Sequence, residues 1–520
     1  MVLLVLYIIC NYFAWHIALF RFFGHSARNP FLSIVPIANL FKWFGIINLP
    51  RWWLLLLLIP FTGLVLGYMA LLKTAAFYKP VLTTTDKLLL LFSGGVYLCY
   101  LSFAGNYNAE NNGELKGGTV VWVVLAALVV LLSFSFTRLF ITETFIIPTP
   151  AMKGTLLVGD YIVGSKSAYG FRIPNTPLAS PFSHHTIKLT GTKAYLEWIK
   201  LPYYRFGKCD VQRNDLVIFN FPQGDTVVLE NQGPTYYDIV RYTAAQAGLS
   251  YSEARTMIWS DPNTHIAVRP VDKREYYIKR CVGIPGDKLE LKDGVLYINE
   301  APAYRPENLN TPYLVMFKPG MEPGEALVKE LGMENMSGEI DGLPANHFVV
   351  LLTQPAMEKL KAMGITNNIA PYSYGKGQIQ TYAMGHDGKQ VPVPSMFPND
   401  VSRYHWNVDN FGPIRIPKKG WTVTLTDSIY QQYDRAMRVY EGNTVEQRDG
   451  KFYINGQETT SYTFKMDYYW MMGDNRHNSM DSRYWGFLPE DHVSGKVTSV
   501  AFNINPSTGL LDGNRWNITP

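Results

Sequence analysis

The chain changes character near residue 140, and that break limits what it can become more than any other feature. Up to about Phe140 it is strongly apolar; beyond that point charge, Gly, Pro and Tyr are spread as in a soluble β-rich protein. Several stretches of the first part approach the ~20 apolar residues needed to cross a bilayer. Val2 to Phe23 ends with Arg21, whose long side chain reaches toward water. Trp52 to Leu72 opens with Trp52 and Trp53, suited to an interface. Leu88 to Ala104 is shorter, and Val120 to Leu139 carries no charge before Arg138. Phe31 to Ile47 contains Pro36, Asn39 and Lys42 and reads as an interfacial or re-entrant helix. The first stretch is too long for a cleaved leader and lacks its small-residue exit, so it is expected to stay attached. The expected layout is an α-helical transmembrane region over 1–141, with spans at 2–23, 52–72, 88–104 and 120–139, followed by a second domain over 142–520.

Arg21, Arg28, Lys42 and Arg51 place the segment between the first two spans in the cytoplasm by the positive-inside tendency. Four spans then put everything after Phe140 outside. Lys73, Lys79 and Lys87 sit in a loop on the outer side and vote against this orientation.

The second part contains short strand-like runs broken by turn residues. Asp215–Phe221 and Glu275–Val282 are compact apolar strands. Leu289–Asn299 (LELKDGVLYIN) and Val445–Asn455 (VEQRDGKFYIN) both place Asp-Gly between β-rich arms, the pattern of a two-residue hairpin. Between them lie insertions at 177–208, 224–269 and 301–406, with helices predicted at Glu325–Leu331 and Ala356–Met363; Ser428–Tyr440 is a better helix. No active-site chemistry is legible in the insertions, which read as surface elaboration. The fold class expected is a mainly antiparallel β domain with inserted α+β segments, preceded by the helical region. Lys+Arg 47 against Asp+Glu 42 leaves +5, too mild a balance for a nucleic-acid partner. Four cysteines show no metal spacing. Cys10 and Cys99 sit in apolar runs, and Cys209 and Cys281 would pair only in an oxidising compartment.

Four blocks carry the chemistry: PTPAMKGTLLVGDYIV from Pro148, RNDLVIFNFP from Arg213, YYIKRCVGIPGD from Tyr276 and WMMGDNRHNSMDSRYWG from Trp470. Lys279 lies inside a strand among apolar neighbours. An isolated strand lysine usually faces solvent, but a buried one loses hydration of its ammonium form. Its pKa then falls, and the neutral amine can take a proton from a hydroxyl nucleophile.

The order and wording of the four blocks resemble the type I signal peptidase (leader peptidase) family of serine/lysine proteases, most specifically through GDNR, NS and DSRYWG. The span-rich front and long insertions resemble the versions found in Bacteroidetes-type bacteria. The resemblance implies a β catalytic domain outside the bacterial cytoplasmic membrane and removal of signal peptides after small residues. It implies no metal or organic cofactor. The partners it implies are signal peptides of exported preproteins, membrane lipid and the protein export machinery. Position by position, Lys279 matches the general base, Thr149 a hydroxyl assisting the oxyanion hole, and Ser479 the hydroxyl that orients the lysine amine. Asp481 and Arg483 match a bracing ion pair, Asp474, Asn475 and Arg476 the turn before it, and Met152 an apolar contact to substrate or lipid. His477 stands where an acidic residue often occurs and reads as a surface turn residue. The nucleophile itself maps onto Ala151, whose methyl group cannot attack a carbonyl. Either a Ser→Ala change was introduced, which the otherwise complete site favours, or the chain is a degenerate copy: a pseudoprotease that binds signal peptides without cutting them. A repressor-type serine/lysine autoprotease is disfavoured by the apolar front and the lack of a DNA-binding segment. The apolar link Phe145-Ile146-Ile147 is expected to dip into the membrane interface, holding position 151 near lipid, and substrate should bind as an extended strand.

Overall fold

The computed structural model describes the chain apart from residues 1, 27, 36, 59–61, 112–130, 181, 188, 337–342, 345 and 386–387. Contacts divide it into two units, Met1–Arg138 and Leu139–Pro520.

The first unit is helical: α1 (Val2–His25), α2 (Ala38–Ile46), α3 (Thr62–Ala76), α4 (Thr84–Ser93) and α5 (Gly95–Ala104), with 3-10 turns at Pro30–Ile34 and Arg51–Leu58. Ala18, Leu19, Phe22 and Phe23 of α1 pack with Trp43, Phe44, Ala70, Leu98 and Leu101. The stretch expected as one span over 88–104 is two helices of ten residues. Thr83 and Asp86 form a reciprocal cap that starts α4, and Gly94 ends it at φ +39°. Gly95 then meets the Asn11 carbonyl and Trp15 so closely that no Cβ would fit. Ten helical residues rise only about 15 Å, half the thickness of a hydrocarbon core. Of the stretch at 52–72, residues 52–58 lie in a 3-10 turn and 62–72 in α3, and residues 59–61 lie outside the described residues. The span at 120–139 lies outside the described residues up to 130. Among the described residues, no helix is long and apolar enough to cross a membrane.

The second unit is built on an eight-stranded antiparallel sheet: β1 (Thr142–Ile146), β2 (Asp160–Ser165), β3 (Leu216–Asn220), β4 (Tyr276–Gly283), β5 (Tyr468–Met472), β6 (Leu488–Pro489), β7 (Val493–Ile504) and β8 (Leu511–Asp512). The order is β1-β2-β7-β3-β4-β5-β6, with β8 paired to β7. β3 is apolar from Leu216 to Phe219 and buried on both faces through Asn220. Val217 and Phe219 join Cys281, Met471 and Trp485; Leu216 and Ile218 join Ile147, Met152 and Val500. Cys281 is thus a core residue while Cys209 is exposed, and both are free thiols.

Both Asp-Gly hairpins form. Asp293 and Gly294 turn at φ +47° and +77°, Asp449 and Gly450 at +52° and +75°, the left-handed pair that matches strand twist. The predicted helices form at Glu325–Leu331 and Gln354–Ala362; the third runs from Asp427 to Arg435 and continues as a π turn to Tyr440. The 301–406 insertion carries its own four-stranded sheet (Glu334–Asn335, His347–Leu352, Thr311–Phe317, Thr366–Pro371), and the 224–269 insertion a helix pair, Tyr236–Ala247 and Tyr251–Ser260. No helix occurs among the described residues of 177–208. Phe145 and Ile146 belong to β1, hydrogen-bonded to β2, and Ile147 is buried in the core, leaving Ile146 exposed.

Candidate active site

β1 leads straight into a 3-10 turn, Pro150–Met152, started by Thr149. Proline at the first position costs the turn nothing, since that N–H would have no partner anyway. The next N–H, that of Ala151, also lies in the first turn, where no intrahelical acceptor exists. Thr149 is exposed, and its hydroxyl caps nothing. Among the described residues, neither the Ala151 amide nor the Thr149 hydroxyl, on either side of Pro150, has a hydrogen-bond partner.

The turn is clamped from across the molecule. The Asn475 backbone N–H donates to the Ala151 carbonyl at 3.1 Å, and its side-chain amide donates to the Pro150 carbonyl at 3.2 Å. Asn475 is itself fixed by Asn310, whose side chain donates to it at 3.1 Å, and by Glu334, which accepts from its amide at 3.0 Å. Glu334 also accepts from Asn478 at 3.2 Å and from Lys153, one residue past the turn, at 2.6 Å. Burial alone would raise the Glu334 carboxyl, but Lys153, Asn475 and Asn478 hold it below the usual range. Asn310 and Glu334 both come from the 301–406 insertion, so that insertion is not mere surface elaboration: it closes around the turn.

Lys279 sits in β4 opposite Val217 of β3 and is 5 % exposed. Burial pulls its amine down to about 8; Asp481 resists, Arg483 adds to the fall and Asp474 resists. On the other side of β4, Met471 pairs with Cys281 and Met472 with Arg280. β5 ends at Met472, and Gly473 follows it directly. A Cβ on Gly473 would overlap the Ala151 carbonyl oxygen and the Ser479 hydroxyl together, so the absent side chain lets three segments meet.

Asp481 and Arg483 form a buried ion pair. The Arg483 guanidinium donates twice to Asp481, at 2.9 and 2.8 Å, and once to the Val408 carbonyl at 3.0 Å. Asp481 also accepts from the Gly473 N–H at 3.1 Å. Burial would raise Asp481, yet Arg483, the Gly473 N–H and Lys279 keep it low and ionised. A second fork, unforeseen from the sequence, holds the other flank: Arg280 donates to Asp474 at 2.9 and 2.6 Å, and the Thr155 hydroxyl joins at 2.6 Å. Its signal was present, since Arg280 directly follows Lys279 in the third block.

Three expectations change. Among the described residues, the buried Ser479 hydroxyl has no hydrogen-bond partner, the lysine included. Met152 is 2 % exposed and packs with Ile147, Leu156 and Ile218, so it anchors the turn in the core instead of meeting substrate or lipid. His477 is no surface turn residue: its side chain is 3 % exposed and bonds Asp409 at 3.1 Å. Among the described residues, no cluster of three or more His, Cys, Asp or Glu is placed to hold a metal.

The family model described as "Signal peptidase, peptidase S26" matches residues 119–351 and 459–502, more than half of the chain and all four motif blocks. The chain belongs to the signal peptidase family. Members of this family are serine endopeptidases. Signal peptidase I of Buchnera aphidicola subsp. Baizongia pistaciae is 20 % identical over 394 residues, covering 76 % of this chain and 80 % of that protein. Signal peptidase I of Rickettsia prowazekii is 25 % identical over 202 residues, 39 % of this chain and about half (49 %) of the relative. A short segment of 32 residues is 66 % identical to signal peptidase I of Buchnera aphidicola subsp. Schizaphis graminum, covering 6 % of this chain and 10 % of that protein. Residues 31–109 match a family of unknown function.

Proposed function

We propose that this chain is a membrane-bound type I signal peptidase whose Ser/Lys centre is silenced at one position, Ala151, and that a serine there would remove signal peptides from exported preproteins. The observation that carries this reading is the Lys279 amine. It is buried and its proton affinity is lowered against the pull of Asp481, and Asp481 also accepts from the N–H of Gly473, the residue whose missing side chain leaves room for the residue 151 carbonyl and Ser479. In the restored enzyme the new serine hydroxyl would pass its proton to Lys279 as it attacks the scissile carbonyl. The oxyanion that develops would be met by the N–H of residue 151 and the Thr149 hydroxyl. Ser479 would then gain the partner it lacks and hold the amine in line. The apolar front is proposed to anchor the enzyme by several spans in the cytoplasmic membrane, with residues 142–520 on the outer side.

Cleavage of a purified preprotein by the chain and by Ala151→Ser tests the reading. The variant should cut and the parent should not, and Lys279→Ala in the variant should abolish cutting. A second reading is favoured by the intact clamp around a methyl group: a pseudoprotease that captures signal peptides. Retained peptide binding with no cutting even by Ala151→Ser would establish that reading and sink the first.

A further inference from the structure

On the far side of the Arg483 brace lies a cavity of about 140 Å³, lined by Arg476, His477, Arg483, Asp409, Arg305 and Asp293. Arg476 is 6 % exposed, and its guanidinium has neither a hydrogen-bond acceptor nor an ion-pair partner among the described residues; its Nε is fully enclosed. A buried cation left without an acceptor is costly, and native proteins seldom keep one without a use. A second orphan lies beside it. His477 bonds Asp409 through Nε2, and its buried Nδ1 has no partner. Asp409 takes His477 at 3.1 Å and the Tyr374 N–H at 2.9 Å, both on Oδ2, and Asp481 is paired with Arg483; among the described residues neither carboxylate bonds Arg476. Arg305, exposed at the rim, makes only two long bonds, to Thr311 at 3.2 Å and Tyr313 at 3.5 Å. Asp293, at the hairpin turn, is exposed and solvated.

We propose that this cavity is a binding site for a small tetrahedral oxyanion of the phosphate-monoester type, held by Arg476 and Arg305. Guanidinium forks match phosphate oxygens two at a time, and two of them around so small a space suit a dianion better than a single carboxylate. The oxyanion can arrive free or as the headgroup of a phosphatidic acid; the chemistry recognised is the same. Because Arg483 lines the cavity and also grips Asp481, an anion here would sit one side chain away from the brace, whatever residue occupies position 151.

The test uses the full chain in a non-ionic detergent. Thermal unfolding is titrated with sodium phosphate against sodium chloride of equal ionic strength, and in a second arm with dihexanoyl phosphatidic acid. A saturable rise in Tm is expected with at least one probe, by preferential binding to the folded state, with apparent affinity weakened tenfold or more in Arg476→Met and in Arg305→Ala. Arg305→Ala alters only an exposed rim residue, so it carries the test by itself if Arg476→Met fails to fold. Response to both probes identifies the bare oxyanion as sufficient; response to the lipid alone identifies the headgroup form. The absence of a saturable shift with either probe overturns the proposal, as does a shift that Arg305→Ala leaves unchanged.

Discussion

In the Ala151→Ser protein, kcat/KM for preprotein cleavage should climb about tenfold per pH unit below pH 8 and level off above it, because only the neutral Lys279 amine can accept the serine proton. The structure sets the scale. With its pKa lowered from 10.5 to about 8, roughly one amine in ten is neutral at pH 7, about 300-fold more than an ordinary lysine would supply. The same drop is worth on the order of 3 kcal/mol between the two protonation states. Its sign for stability follows from proton uptake. Between the folded and unfolded pKa values the unfolded chain binds more protons, so stability rises with pH across about 8 to 10.5, and below 8 the full cost of the buried amine is present. Lys279→Met should therefore abolish cleavage yet stabilise the protein at pH 7 by up to ~3 kcal/mol, a gain that fades by about pH 10.5. Initial-rate kinetics across pH 6 to 10 and thermal unfolding of the two forms measure both effects. A flat rate profile, a limb centred near 10, or a Lys279→Met protein destabilised at pH 7 would refute the dry-amine argument.

Glu334→Gln should loosen the Asn475 clamp, because an amide cannot accept from Lys153 on one side and from Asn475 and Asn478 on the other. In the Ala151→Ser background we expect kcat to fall about tenfold, the scale of a small misplacement of a nucleophile, while the melting temperature barely moves; an unchanged kcat would remove the insertion from the site. Gly473→Ala places a methyl against the residue 151 carbonyl and Ser479, and should cost about 1–3 kcal/mol of stability as an overpacked contact, visible in denaturant unfolding, together with loss of cleavage. A neutral Gly473→Ala would mean the three segments do not meet as described.

What the sequence by itself determined was local or motif-borne. Both Asp-Gly hairpins were legible because their turn conformation depends on two adjacent residues, and β3 was legible because an unbroken apolar run has few other uses. Lys279, Asp481, Arg483 and Ala151 stood out because they sit in blocks whose wording is distinctive. The helix break at Gly94 was not, since a close approach by Asn11 and Trp15 decides it and hydropathy cannot register that. The tertiary structure alone decided which distant segments touch. Glu334 and Asn310, from an insertion with no visible motif, clamp the turn at residue 151. Met152 packs inward because Ile147 and Ile218 offer it a core, and Arg476 faces a cavity in place of a carboxylate. A residue's chemistry belongs to its side chain and can be read in one dimension, but its hydration and its partners are set by neighbours hundreds of positions away, which only the folded chain brings together.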